Sequence, residues 1–230
     1  MTPALSALQG EPEKYCKYYK QAVAFLAFFQ MPLIAYFAVY SDSIIMVFLG
    51  QKWIQASVIL QILAIGMFFE AVVSTTGIVM VTSHKTREYL LLGAINAASV
   101  ITAIAIGVSW GAVGVAYAYL AFSYISLPLV VWFSLRGTSI SAGQFYEAIS
   151  LPLVATLIMS GCLFGIKFLV GAEHGFGEIA YSLVLTPLLY CSAWLLFPGG
   201  KQKLLSYLLH LRGAVGDLVS RVYSPNPAAT

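Results

Sequence analysis

Long apolar stretches separated by short polar segments dominate this chain and predict a bundle of membrane-spanning helices. Each stretch is near or above the roughly 18–20 residues that a helix needs to cross the hydrocarbon core of a bilayer. The pattern therefore predicts an all-α, polytopic membrane helix bundle with six spans. The predicted spans cover about 21–48, 56–81, 89–108, 112–135, 148–170 and 178–197.

The segments outside these spans predict surface elements. Residues 1–20 are polar and proline-containing, which favours a cytoplasmic loop followed by a short interfacial helix. Residues 198–223 repeat leucine and valine at helical spacing with basic residues between them, a pattern typical of an amphipathic cytoplasmic helix on the membrane surface. Residues 224–230 are expected to be a disordered tail.

The composition supports the same class of protein. Hydrophobic residues make up 60% of the chain and charged residues 9%, whereas soluble domains have about 45–50% apolar and about 25% charged residues. The net charge of +3 gives no indication of nucleic-acid binding. The distribution of the basic residues is more informative than their sum.

Six spans place alternate loops on opposite sides of the membrane, and the basic residues favour one side. The other side holds Lys52 alone, and Lys167 lies within the fifth predicted span. By the positive-inside rule the basic side is cytoplasmic, so both termini are expected in the cytoplasm. The basic residues on that side are Lys14, Lys17, Lys20, Lys85, Arg87, Arg136, Lys201, Lys203, Arg212 and Arg221.

Two segments carry a family resemblance. Residues 3–20, PALSALQGEPEKYCKYYK, combine a Pro-x-Leu-Ser start, an acidic stretch and a basic-aromatic helix. The next span has Pro32-Leu33 early, then Asp42, and leaves through VFLGQKW at 47–53, followed by LQIL at 60–63. These features resemble the polysaccharide flippases of the Wzx type, in the multidrug/oligosaccharidyl-lipid/polysaccharide exporter superfamily.

The resemblance covers about residues 3–135, and beyond them only the topology agrees. It implies export of a lipid-linked oligosaccharide across the bacterial inner membrane by alternating access between two lobes, without enzymatic chemistry or a cofactor. It also implies that the chain is the C-terminal part of such an exporter, either a fragment or a reduced relative, with an N-terminal lobe or other helices as partners. The alternative is a non-transporting membrane scaffold or accessory subunit that binds other helices through small-residue faces.

Glu70 is the first candidate for contact with substrate. An ionised carboxylate in a spanning helix is costly, so Glu70 is expected to face the interior of the bundle or a cavity. Gly66, Ser74 and Gly77 share its helix face, and Ser74 is a further candidate. A protonated or hydrogen-bonded packing residue is the alternative interpretation.

Other polar residues are weaker candidates. Asn96 could line a cavity or hydrogen-bond a neighbouring helix, and Tyr36 and Tyr117 could stack on sugars or pack in the core. Lys85 and Arg87, in a predicted cytoplasmic loop, could attract a lipid diphosphate headgroup or simply fix topology.

Two charged residues within the spans have structural interpretations. Asp42 is expected to hydrogen-bond at the interface, and Lys167 to extend to the outer surface. The scattered histidines and cysteines predict no catalytic set, metal site or disulfide.

Overall fold

The computed structural model describes residues 11–170, 175–197, 200–202 and 205, and within these residues the chain is helical with no strand. The predicted all-α class is thereby confirmed. Most helices are long, and two short 3₁₀ turns, Gln51–Trp53 and Val108–Trp110, connect neighbours. The α-helices are α1 (Pro12–Val39), α2 (Ser41–Phe48), α3 (Ala56–Gly66), α4 (Glu70–Thr82), α5 (Thr86–Gly107), α6 (Gly111–Leu135), α7 (Ala142–Val170) and α8 (Phe176–Leu195).

Five helical stretches of the described chain are long and apolar enough to cross a membrane, which supports a multi-pass membrane protein. One of them, Thr86–Leu135, contains both α5 and α6, which fold against each other around the 3₁₀ turn. The five stretches are Pro12–Val39, Ala56–Thr82, Thr86–Leu135, Ala142–Leu169 and Phe176–Leu195.

Helix α1 joins the two halves of the bundle. It packs against α7 on one side and against α3 and α4 on the other. Helix α8 packs on α7 and α2, while α6 packs on α3, α4 and α5, and α5 also contacts α4. Hydroxyl pairs reinforce the α1–α4 contact: Tyr15 bonds to Thr82 at 2.8 Å and Tyr19 to Thr75 at 3.0 Å. Such interhelical hydrogen bonds satisfy polar groups where lipid offers no partner.

The boundaries of α1 differ from the pattern of apolar residues. The helix begins at Pro12. Proline is favourable at the first helical position, because an N–H at that position would have no acceptor within the helix and its absence therefore loses no hydrogen bond. It continues to Val39 through Pro32, so the expected interfacial helix and the first span form one element. The chain leaves the helix at Tyr40 and starts α2 at Ser41.

The second apolar stretch is also interrupted. Helix α3 ends at Gly66, the chain turns through Met67–Phe69, and α4 begins at Glu70. The expected helix over 198–223 and tail over 224–230 lie outside the described residues except at 200–202 and 205, which are helical.

The hairpin of α5 and α6 depends on close approach at Gly107. A methyl group there would lie 2.7 Å from Val115 Cα and 2.8 Å from the Gly114 carbonyl oxygen. Gly107→Ala is therefore expected to destabilise the protein by about 1–3 kcal/mol, since the neighbouring backbone has no room to shift. Thermal unfolding in detergent, followed by tryptophan fluorescence, measures the effect.

Gly161→Ala is the matched control, because no atom of the described residues, apart from the neighbouring backbone of α7 itself, lies within 4 Å of a methyl group at that position. It should leave stability unchanged or raise it by about 0.5–1 kcal/mol through helix propensity. Equal behaviour of the two variants would contradict close packing at Gly107.

Candidate functional site

A cavity of about 260 Å³ lies between α4, α5 and α6, next to the end of α3. It is notable for its polar groups, since the helices around it are largely apolar. Hydroxyls, an amide and a carboxylate are thus gathered within the spanning part of the bundle. The polar side chains that line it are Glu70, Ser74, Thr76, Tyr89, Asn96, Tyr119, Ser123, Tyr124, Ser126 and Ser134.

Three of the residues singled out from the sequence meet in this cavity. Glu70 and Ser74 line it from α4 and Asn96 from α5. The two tyrosine candidates lie elsewhere. Tyr36 is buried, and its hydroxyl pairs with Ser182 of α8 at 3.0 Å, whereas Tyr117 is 56% exposed on α6 and does not line the cavity.

Glu70 reaches the cavity because the helix is broken just before it. At the break, backbone hydrogen bonds span three residues instead of the four of an α-helix. The N–H of Phe68 donates to the carbonyl of Ile65 at 3.2 Å, and the N–H of Glu70 donates to that of Met67 at 3.1 Å. Glu70 is consequently the first residue of α4. A carboxylate is favourable there, because it faces the positive end of the helix dipole.

Side chains from two other helices satisfy carbonyl groups at the break. The Gln30 amide of α1 donates to the carbonyl oxygens of Met67 at 3.4 Å and Phe68 at 3.3 Å. The Tyr124 hydroxyl of α6 donates to Ile65 at 3.2 Å. Irregular backbone is tolerated in a membrane only when such groups are satisfied within the protein.

The carboxylate of Glu70 is exposed toward the cavity. No residue in the described part of the chain gives it a hydrogen bond or an ion pair, although Tyr119 lies close enough to interact with it electrostatically. The Tyr119 ring packs over Gly66, the last residue of α3, which also lines the cavity. The arrangement can therefore accept hydrogen bonds from a hydroxyl-bearing ligand placed beside aromatic rings.

Basic groups lie near one end of the cavity. Lys85 is one helical turn before the cavity-lining Tyr89, and Arg136 is two residues after the cavity-lining Ser134. The Lys85 ammonium donates to the Arg136 carbonyl, and the Arg136 guanidinium stacks 5.2 Å from the centre of the Trp132 ring. Arg87, the other headgroup candidate, is exposed.

Reasoning from the sequence missed both Arg136 and a partly buried charge cluster. The Lys167 ammonium pairs with Asp42 at 2.5 Å and lies 4.0 Å from Glu178. Asp42 thus bonds to another helix. The predicted topology did contain a signal for this cluster. Asp42, Lys167 and Glu178 all lie near ends of spans that are predicted on the same side of the membrane.

Comparison with known protein families gives a match over the first part of the chain. Residues 1–58 match the family model described as "Polysaccharide biosynthesis protein", which is 58 of the chain's 230 residues. The match supports a relationship to polysaccharide biosynthesis or export proteins. No curated protein and no solved structure matches the chain.

Tyr124→Phe tests whether the cavity depends on the helix break. Loss of the bond to Ile65 should lower stability by about 1 kcal/mol and speed amide exchange over residues 65–70. Exchange measured by mass spectrometry in nanodiscs locates the effect.

Tyr117→Phe is the matched control on the same helix, since that residue is exposed and outside the cavity. It should change neither stability nor exchange. Unchanged exchange in the Tyr124→Phe variant would show that its hydroxyl does not hold the break.

Proposed function

We propose that the chain handles a lipid-linked oligosaccharide as part of a Wzx-type flippase of the bacterial inner membrane. In this proposal the protein works by alternating access, and both termini of the chain are cytoplasmic. The match over residues 1–58 supports the polysaccharide class. The polar cavity around Glu70 is the observation that carries the transport proposal.

The chemistry of the cavity suits a sugar. Glu70 and Asn96 offer hydrogen bonds to hydroxyl groups, and the tyrosine rings offer apolar faces for stacking. At about 260 Å³ the cavity is smaller than the roughly 300–1,000 Å³ typical of sites for drug-sized ligands. It would therefore hold one part of a glycan at a time, which suits a transport pathway better than a high-affinity binding site.

The basic end of the cavity suits the lipid diphosphate. Lys85 precedes the cavity-lining Tyr89 by one helical turn, and Arg136 follows the cavity-lining Ser134 by two residues. Arg87, which is close to Lys85 in the sequence, is exposed. A diphosphate held there by charge would place the attached sugars next to the hydroxyl-lined interior. On this assignment, Lys85 and Arg87 are headgroup ligands and Glu70 and Asn96 are glycan ligands.

Photo-crosslinking tests the glycan assignment directly. A photoreactive amino acid at Asn96, in the chain reconstituted into nanodiscs, should crosslink undecaprenyl-diphosphate oligosaccharide. The same amino acid at Ala97, which is absent from the cavity lining, is the control position. Equal labelling at both positions, or equal labelling by undecaprenyl phosphate without a glycan, would contradict the assignment.

Glu70→Gln tests the central residue. Loss of the charged acceptor should weaken glycan crosslinking about tenfold or more, because hydrogen bonds to charged groups contribute about 1.5–3 kcal/mol. Glu13→Gln, an exposed carboxylate at the start of α1, should have no effect. Unchanged glycan crosslinking in the Glu70→Gln variant would show that the carboxylate does not bind the glycan.

Single-cysteine labelling tests the proposed orientation. In a variant without Cys16, Cys162 and Cys191, a cysteine at Lys52 should react with a membrane-impermeant maleimide in intact cells. A cysteine at Lys85 should react only after permeabilisation, since one spanning stretch, Ala56–Thr82, separates the two positions. The reverse pattern would place both termini outside.

A scaffold or accessory role is the second candidate. Gly161 and Gly165 lie one turn apart on α7, and no atom of the described chain would contact a methyl group at either position. This small-residue face is open for a helix of another subunit. Purification as a stable homodimer without bound lipid-linked sugar would favour this role over transport.

A further inference from the structure

We propose that the break between α1 and α2 is a binding site for a monovalent cation, and that the ammonium of Lys167 is its resident cation. The site lies away from the polar cavity around Glu70, which α4, α5 and α6 form. Its groups come from the end of α1, from α2 and from α8, and the cation is supplied by α7. The proposal is independent of the proposed transport function.

The break leaves backbone groups that need new partners. In a continuous helix the N–H of Ser43 would donate to the carbonyl of Val39, four residues earlier. Here the Ser43 N–H donates to the Asp42 carboxylate at 3.0 Å. The Val39 carbonyl accepts instead from Lys167, at 2.9 Å. Lys167 and Asp42 together therefore replace one backbone hydrogen bond of the helix.

The groups around the ammonium are those that bind cations. The Val39 carbonyl belongs to the last residue of α1, at the negative end of the helix dipole. The Asp42 carboxylate lies 2.5 Å away and that of Glu178 4.0 Å away. The ring of Tyr40 adds a π face 5.2 Å from the ammonium nitrogen.

Because the site is largely buried, its carboxylates need a positive charge beside them. The Glu178 side chain is 2% exposed and the Lys167 side chain 14%. Burying carboxylates in a membrane-spanning bundle is costly unless a positive charge lies beside them. Ser43 also donates from its hydroxyl to Glu178 at 2.7 Å, which orients that carboxylate within the site. The ammonium thus ties four elements into one unit: the end of α1, α2, α7 and α8.

Chemical rescue tests the site. Lys167→Ala removes the resident cation, so thermal stability should fall and amide exchange over residues 39–43 should rise several-fold. Methylammonium or ethylammonium in the buffer should reverse much of both changes. Tetraethylammonium, which has no N–H to donate, should not. The measurements use the full chain in nanodiscs at constant ionic strength.

Two controls separate the site from general charge effects. Lys20→Ala removes a lysine that pairs with Glu147 at 2.6 Å on an exposed surface, and small ammonium ions should not affect that variant. The double variant Lys167→Ala with Asp42→Asn lacks the carboxylate ligand and should show no rescue. Rescue of Lys167→Ala by sodium or potassium would also support the site, with a metal ion taking the place of the ammonium.

Three results would overturn the proposal: Lys167→Ala with wild-type stability and exchange, destabilisation that no monovalent cation reverses, or equal rescue of Lys20→Ala. If Lys167→Ala does not fold, Asp42→Asn alone gives the answer. It should raise exchange over residues 39–43 in the otherwise unchanged chain, and an unchanged rate would refute the role of the pair at the break.

Discussion

The constraint on which this structure depends is that polar groups in a membrane-spanning bundle need partners within the protein. Two of the apolar stretches predicted from the sequence, 21–48 and 56–81, are interrupted, at Tyr40 and at Met67–Phe69. Each break is closed by a side chain from a different helix, Lys167 at the first and Gln30 at the second. The breaks are therefore fixed features of the fold, because each one is tied to a neighbouring helix.

The same constraint explains where the chemistry lies. In a continuous helix the backbone N–H and carbonyl groups bond to each other and are not available to neighbouring helices. At a break, carbonyls, carboxylates and hydroxyls come together. Glu70 follows one break and opens into the cavity; Asp42 follows the other and meets Lys167. Helix α1 contributes to both, since it ends at the first break and donates Gln30 to the second.

The sequence predicts what depends on a single helix, and leaves open what depends on how helices are placed. The apolar stretches indicate the membrane class, and the helical period puts Glu70 and Ser74 on one face. Neither shows that α6 supplies Tyr119 and Tyr124 to that face. Tyr36 illustrates the limit, because the period does not reveal that it faces Ser182. The helix breaks were missed for a related reason, since the residues that stabilise them are distant in the chain.

The family match and the cavity lie in different parts of the chain, and this affects how the function is argued. The described part of the matched segment, residues 11–58, contains α1, α2 and the start of α3, and none of these residues lines the cavity. The match therefore supports the polysaccharide class, while the case for sugar contact is chemical. Gln30 links the two, because it lies in the matched segment and holds the break that precedes Glu70.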